Sequence, residues 1–180
     1  EFIALVLGAK YNTLKTQGNL NNEIGVPQML FRLEDSHTAA VIEMGMNHFG
    51  EISRLTRAVA PTVGLITNIG VSHIENLGSR AGILQAKLEI LEGMAPDAPL
   101  IVNMDNDMLR TVKLGDRPLL TFAIDDQSAD FTATDIAEQG STTTFMVHHS
   151  TFTQPVTIPT VGIHNVYNAL AAMAVGYVAG

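Results

Sequence analysis

Three polar clusters each close a short apolar run: Glu43-Met-Gly-Met-Asn47, Asn68-Ile-Gly-Val-Ser-His73 and Asn103-Met-Asp105. In an open parallel sheet, ligands bind just beyond the carboxyl ends of the strands, which is where these clusters would lie. A carboxylate and a histidine on successive strand ends can share a divalent ion. Oxygen-rich ligation beside phosphate favours Mg²⁺ or Mn²⁺, with an imidazole as a tolerated minor partner. One acidic side chain at a strand end reads equally as chance or as a helix cap; its recurrence at successive ends is the signal.

Lys87 is the most informative single residue. Ile83, Lys87 and Leu91 are spaced by four, with Leu84 and Leu88 beside them, so the lysine lies in or at the edge of an apolar helix stripe. An ammonium there is expensive unless paired. Two readings stay open. The side chain snorkels to solvent, or a depressed pKa leaves a free amine that reacts with CO₂ to give a carbamate, an anionic metal ligand.

The loop Gly18-Asn-Leu-Asn-Asn-Glu-Ile-Gly25 offers the amides of Asn19, Asn21 and Asn22 and its backbone N–H groups to an anionic substrate, although Asn and Gly also make ordinary turns. In His164-Asn-Val-Tyr-Asn168, Asn165 and Asn168 share a helix face where carboxamides could read a purine edge; a capped helix start explains them equally well. His37, His48, His148 and His149 show no ligand-like grouping and are expected at the surface.

The elements that must position these residues follow from periodicity. Glu1 to Leu7 reads as the last turns of a helix stopped by Gly8, and Asn12 to Gly25 as a loop. Val26 to Leu33 has helical spacing, with Asn21 or Asn22 as cap and Pro27 in the first turn. Buried strands are expected at Thr38 to Met44, Thr62 to Asn68 and Leu100 to Asn103, alternating with helices from Gly50 to Ala60 and Ser79 to Glu92. This alternation predicts an α/β fold with a mostly parallel sheet flanked by helices. From Arg117 the pattern changes to Thr-rich alternating segments, Pro118 to Ile124, Phe131 to Ala137, Thr142 to His149 and Thr151 to Ile158, expected as a small antiparallel β annex before a closing helix from His164 to Val178.

The 180 residues suit one domain, and 46% hydrophobic against 16% charged residues leaves more core than surface, so part of it should be covered by something else. A net charge of −8 argues against coating nucleic acid or anionic membrane. Small phosphorylated ligands remain compatible, because glycines, helix N-termini and metal ions hold them locally. The absence of cysteine removes disulfides and thiolate chemistry. No apolar run approaches the roughly 20 residues that span a bilayer, so membrane insertion is not expected.

Five segments, Gly18 to Pro27, Val41 to Ile52, Thr67 to Ser79, Ala86 to Ile90 and Gly162 to Ala172, together resemble the central ATPase domain of the Mur ligases. Within that family the first three are similar to the branch that adds D-alanyl-D-alanine. The resemblance implies a cytoplasmic, ATP- and Mg²⁺-dependent amide ligase of peptidoglycan precursor synthesis, which joins D-Ala-D-Ala to UDP-MurNAc-tripeptide through an acyl phosphate. By motif position, Glu43 would hold the Mg²⁺ bridging the ATP phosphates, and His73 with a carbamylated Lys87 would serve a second. Asn165 and Asn168 would contact adenine with His164 beside them, Asp105 would lie near the nucleotide, and Asn19, Asn21 and Asn22 would face the UDP-sugar. The family's first strand and its Gly-Lys-Thr phosphate loop are not found in these residues. Residues 1–180 are therefore expected to be an N-terminally truncated central domain without its UDP-binding and C-terminal domains, and inactive alone. Rival expectations are another Mur or folylpolyglutamate-synthase-like ligase, and a non-catalytic nucleotide- or metal-binding module.

Overall fold

Leu100–Asn103 is buried at every position, and its side chains alternate between two separate cores, which makes it the centre of the molecule. Leu100 and Val102 face one apolar cluster, with Ile52, Leu55, Ile83 and Ala86. Ile101 faces the other, with Phe122, Phe131, Leu170 and Leu7. Burial on both faces is the mark of a parallel strand between two helical layers. The computed structural model describes all 180 residues, and the layers are as expected.

In chain order the helices are α1 (Phe2–Gly8), α2 (Gly25–Leu30), α3 (Glu51–Val59), α4 (Ile74–Leu77), α5 (Arg80–Leu88) and α6 (Ile163–Ala179). The strands are β1 (Thr13–Lys15), β2 (Ala39–Val41), β3 (Gly64–Ile66), β4 (Leu100–Asn103), β5 (Leu119–Ala123), β6 (Phe131–Gln139), β7 (Thr142–His149) and β8 (Phe152–Ile158). A six-stranded sheet runs in the order β3-β4-β5-β6-β7-β8, and β1 and β2 form a separate parallel pair. Pairings from β3 through β6 are parallel, and only β6-β7 and β7-β8 are antiparallel. The sheet is thus mostly parallel with antiparallel strands continuing one side.

Local chemistry explains the ends. Ser79 caps α5 by accepting from the Gly82 amide at 3.1 Å, and Asn22 Oδ1 accepts from the amides of Ile24 at 3.1 Å and Gly25 at 2.8 Å at the start of α2. In α6 the alanines 169, 171, 172 and 174 are all buried, which brings this helix close to β4, β5 and α1.

Several expectations need correction. The loop from Asn12 to Gly25 contains β1, too short to show an alternating pattern, paired Thr13 to Ala39 and Lys15 to Val41. The expected buried strand at Thr38 to Met44 is reduced to β2, and its residues are half-buried or exposed. The segment Pro118 to Ile124 lies in the parallel sheet as β5, not in an annex, because it pairs in parallel with both β4 and β6. His149 is half-buried, its ring stacked on Phe131 at 4.6 Å and tilted against Tyr177 at 4.4 Å, and His148 Nε2 lies 2.8 Å from Thr134 Oγ1, so neither is a plain surface residue. The helix from Ser79 ends at Leu88 and continues as a 3₁₀ turn, Glu89–Gly93. The expected uncovered apolar surface is present: Leu5, Ile24, Phe31 and Val71 are each at least 66% exposed.

Candidate functional site

Glu43, two residues beyond β2, is exposed, and neighbours on both sides hold it in place. Its backbone amide donates to Thr16 Oγ1 at 2.8 Å, and its Oε1 accepts from Asn21 Nδ2 at 2.8 Å. Oε2 takes no hydrogen bond from the chain. A hard cation is served by such a free carboxylate oxygen.

The turn after β3 is pinned from three directions. Lys87 Nζ donates to the Asn68 carbonyl at 2.7 Å, Asn106 Nδ2 donates to Asn68 Oδ1 at 2.7 Å, and Arg80 Nη2 donates to the Ile69 carbonyl at 2.8 Å. Lys87 is half-buried, and burial pushes its ammonium below the usual lysine range. It neither snorkels freely nor finds a carboxylate; a carbonyl is its partner. His73 follows this turn as the residue before α4, in a left-handed conformation with φ 66°; its carbonyl accepts from the amides of Asn76 at 3.1 Å and Leu77 at 3.2 Å, while its ring is exposed and has no partner in the chain. No group of three or more His, Asp or Glu side chains is placed to hold a metal ion. The donor set nevertheless fits Mg²⁺, which takes one or two protein carboxylates and fills its octahedron with phosphate and water oxygens.

Asp105, beyond β4, is fully engaged. Its Oδ2 accepts from the amides of Ile124 at 2.6 Å and Asp125 at 2.9 Å and from the Tyr167 hydroxyl at 2.8 Å, and its Oδ1 accepts from the Asp126 amide at 2.9 Å. Burial opposes its charge, but these donors outweigh it and hold the carboxyl below the usual range. Burial and this hydrogen bond push the Tyr167 phenol well up. Asp105 thereby ties β4, the turn after β5 and α6 together. Beside it lies an open polar depression of about 500 Å³ lined by Asp105, Arg110, Asp125, Asp126 and Gln127.

At the start of α6, Asn165 Nδ2 donates to Thr160 Oγ1 at 3.1 Å and to the Val161 carbonyl at 2.7 Å, so its amide nitrogen is used in the turn. Asn168 is half-buried and its carboxamide has no partner in the chain. The ring of His164 covers Gly162, whose φ of 101° favours glycine, and a Cβ there would also push the His164 ring aside, its Cε1 standing 2.6 Å away. In the loop between β1 and α2, Asn22 is a helix cap, Asn21 is bound to Glu43, and the Asn19 carboxamide is unengaged.

Sequence reasoning missed Glu89, which accepts from the Gly50 amide at 2.8 and 2.9 Å and the Ser53 amide at 3.2 Å, fixing the N-terminus of α3 to the 3₁₀ turn that continues α5, the helix carrying Lys87. The available signal was a carboxylate two residues beyond Lys87 in an otherwise apolar stretch. Thr16 and Tyr167 left no comparable trace.

Comparison with known proteins matches residues 1–176 to the family described as Mur ligase middle domain. The UDP-N-acetylmuramoyl-tripeptide–D-alanyl-D-alanine ligase of Escherichia coli K12 is 40% identical over 182 residues, covering 100% of this chain and 40% of the relative. The Bacillus subtilis enzyme of the same name is 39% identical, with 98% and 37% covered. This chain thus spans about two fifths of the length of those relatives. A crystal structure of MurF from Acinetobacter baumannii superposes with a TM-score of 0.92 at 35% identity, covering 99% of this chain and 39% of that one. A mutant of L. casei FPGS, at 16% identity and a TM-score of 0.71, shares the fold alone. The chain belongs to the Mur ligase family, in the part described as its middle domain, and its high-coverage relatives are MurF enzymes.

Proposed function

We propose that this chain is the central, ATP-binding domain of a longer cytoplasmic ligase that joins D-Ala-D-Ala to the terminal carboxylate of UDP-MurNAc-tripeptide. The observation that carries the reading is the delivery of Glu43, the Lys87-bound Asn68 turn and Asp105 by the ends of β2, β3 and β4 in a chain of this family. A carboxylate is a poor electrophile until one oxygen becomes a phosphate leaving group. ATP supplies that phosphate, giving an acyl phosphate; the amine of D-Ala-D-Ala attacks it, and phosphate leaves as the amide forms.

Mg²⁺, when bound, offsets the negative charge brought together in this transfer. Glu43 would hold one such ion on its carboxylate. His73 and Lys87 would serve the second, the Lys87 amine first adding CO₂ and losing a proton to become a carbamate; burial, which holds this amine below the usual lysine range, favours the uncharged form that such a step needs. Asn168, with His164 and Asn165 beside it, receives adenine, and Asp105 shapes that end of the site through Tyr167. Asn19 is the amide of its loop left free for the sugar nucleotide.

The split sheet supports a further parallel strand in the longer protein. β2 and β3 do not hydrogen-bond to each other, yet Ala39, Val41, Val63 and Leu65 pack on one core and Ile42, Met44 and Ile66 on the other. A strand inserted between them would satisfy both open edges and carry a phosphate loop at its end.

The test is ligation by the longer protein with D-Ala-D-Ala against single amino acids, alongside the 180-residue chain alone. Turnover with the dipeptide and none by the chain alone is expected. Preference for a single amino acid overturns the substrate assignment, and turnover by the isolated chain overturns the incomplete-domain reading.

A further inference from the structure

Asn21 belongs to the stretch whose amides would face a sugar nucleotide, but its side chain is already committed elsewhere. Nδ2 donates to Glu43 Oε1 at 2.8 Å. Its main-chain carbonyl accepts from the Gly45 amide at 2.7 Å, closing a small ring around the Glu43–Gly45 segment. Its carboxamide also lies 3.2 to 3.3 Å from the place a Cβ on Gly45 would occupy, so a larger residue 45 would press on the amide that reaches the carboxylate. From the other side, Glu43 N donates to Thr16 Oγ1 at 2.8 Å, and Thr16 N donates to the Val41 carbonyl at 2.9 Å. The backbone of Glu43 is fixed by Thr16, the residue after β1, and the orientation of its carboxylate is fixed by Asn21.

That arrangement has a chemical consequence. A neutral amide donor fixes one carboxylate oxygen without neutralising the charge, and it leaves the other oxygen unengaged for a cation. A lysine or arginine here would compete with the metal ion; an aspartate would add a second charge.

We propose that Asn21 is a positioning residue for the Glu43 carboxylate, acting on divalent-cation binding through Glu43 and not as a contact of the sugar nucleotide. The inference rests on Glu43 being a Mg²⁺ ligand. It makes the β1–α2 loop part of the cation site, so that loop and ion order each other.

The experiment uses the longer ligase, with Mn²⁺ as a paramagnetic probe and a non-hydrolysable ATP analogue present, and measures Mn²⁺ affinity by electron paramagnetic resonance. Asn21→Ala should weaken Mn²⁺ by about 10-fold or more, the usual effect of removing a partner of a metal ligand. Turnover lost at low Mg²⁺ should return as Mg²⁺ is raised, with the KM for the sugar nucleotide unchanged at saturating Mg²⁺. Gly45→Ala, which presses on the same carboxamide, should act in the same direction and serves if Asn21→Ala does not fold. In a Glu43→Gln background, Asn21→Ala should have no further effect on Mn²⁺. Unchanged Mn²⁺ affinity with a raised sugar-nucleotide KM overturns the proposal and returns Asn21 to the substrate site. If Glu43→Gln itself leaves Mn²⁺ affinity intact, the failure lies in Glu43 as a ligand, and the role of Asn21 falls with it.

Discussion

Replacing Asp105 with alanine removes one acceptor from four donors at once: three consecutive amides, Ile124 to Asp126, and the Tyr167 hydroxyl. Charge-assisted bonds of this kind are worth about 1.5–3 kcal/mol each when the partner is stranded. Simple addition overstates the loss, because Asp105 is half-buried and water reaches the vacated turn. The amides resemble a helix N-cap, worth about 0.5–2 kcal/mol. The half-buried phenol adds the cost of an unmet donor, about 1–3 kcal/mol. Asp105→Ala should therefore destabilise by about 2–4 kcal/mol, lowering the melting temperature by roughly 5–15 °C for a domain of this size.

Circular dichroism at 222 nm during urea unfolding is the suitable assay, since the sequence has no tryptophan. Tyr167→Phe should cost about 1 kcal/mol, and the pair should couple in a double-mutant cycle. The lowered carboxyl pKa gives the pH signature. Its contribution is fully present above the unfolded value of about 3.9 and is lost as pH falls through the lower folded value. Asp105→Ala should consequently lack part of the acid-side loss shown by the parent. A variant within about 0.5 kcal/mol of the parent, the range of ordinary surface changes, refutes the clamp.

Three further outcomes follow from other contacts. Gly93→Ala should destabilise by about 1–3 kcal/mol or more in urea unfolding, because its Cβ would stand 2.2 Å from the Thr56 carbonyl, and backbone cannot step aside as a side chain can. Leu170→Ala, at a site of 0% exposure between α6 and the sheet, should cost about 2–5 kcal/mol by the same measurement. In the longer ligase, Lys87→Ala should cut turnover by at least about 100-fold; a short-chain carboxylic acid should restore part of it, and bicarbonate should not.

The legible parts of the molecule were those in which a local pattern and the tertiary environment agree. Leu100 to Asn103 reads as a buried strand because both faces meet helices, and α6 reads as a helix from its alanines. Thr13–Lys15 was illegible because three residues carry no period, and what makes them a strand is pairing with β2, 26 residues away. Pro118 to Ile124 was misassigned for the opposite reason: its Thr and its turn neighbours suit either kind of sheet, and only its partners β4 and β6 make it parallel. At the site, residue types announced Glu43, Lys87 and Asp105, while their partners stayed hidden. Asn68 meets Lys87 through a backbone carbonyl, which no side-chain pattern encodes.

The half-buried state of β2 ties these observations together. A run as apolar as Thr38 to Met44 is expected between two neighbours, yet β2 has only β1 on one side, and its far edge is open. β3 is open on the edge away from β4; its residues reach both cores, whereas β2 packs on one through Ala39 and Val41 and only the following Ile42 and Met44 reach the other. Unpaired parallel edges with apolar faces on both sides are costly. On the proposed reading, this mismatch between pattern and burial is a matter of geometry: β2 would suit a sheet one strand wider, in the longer protein. An ATP site built here requires the gap to be filled, and a peptide supplying that strand should raise both the unfolding midpoint and the nucleotide affinity together.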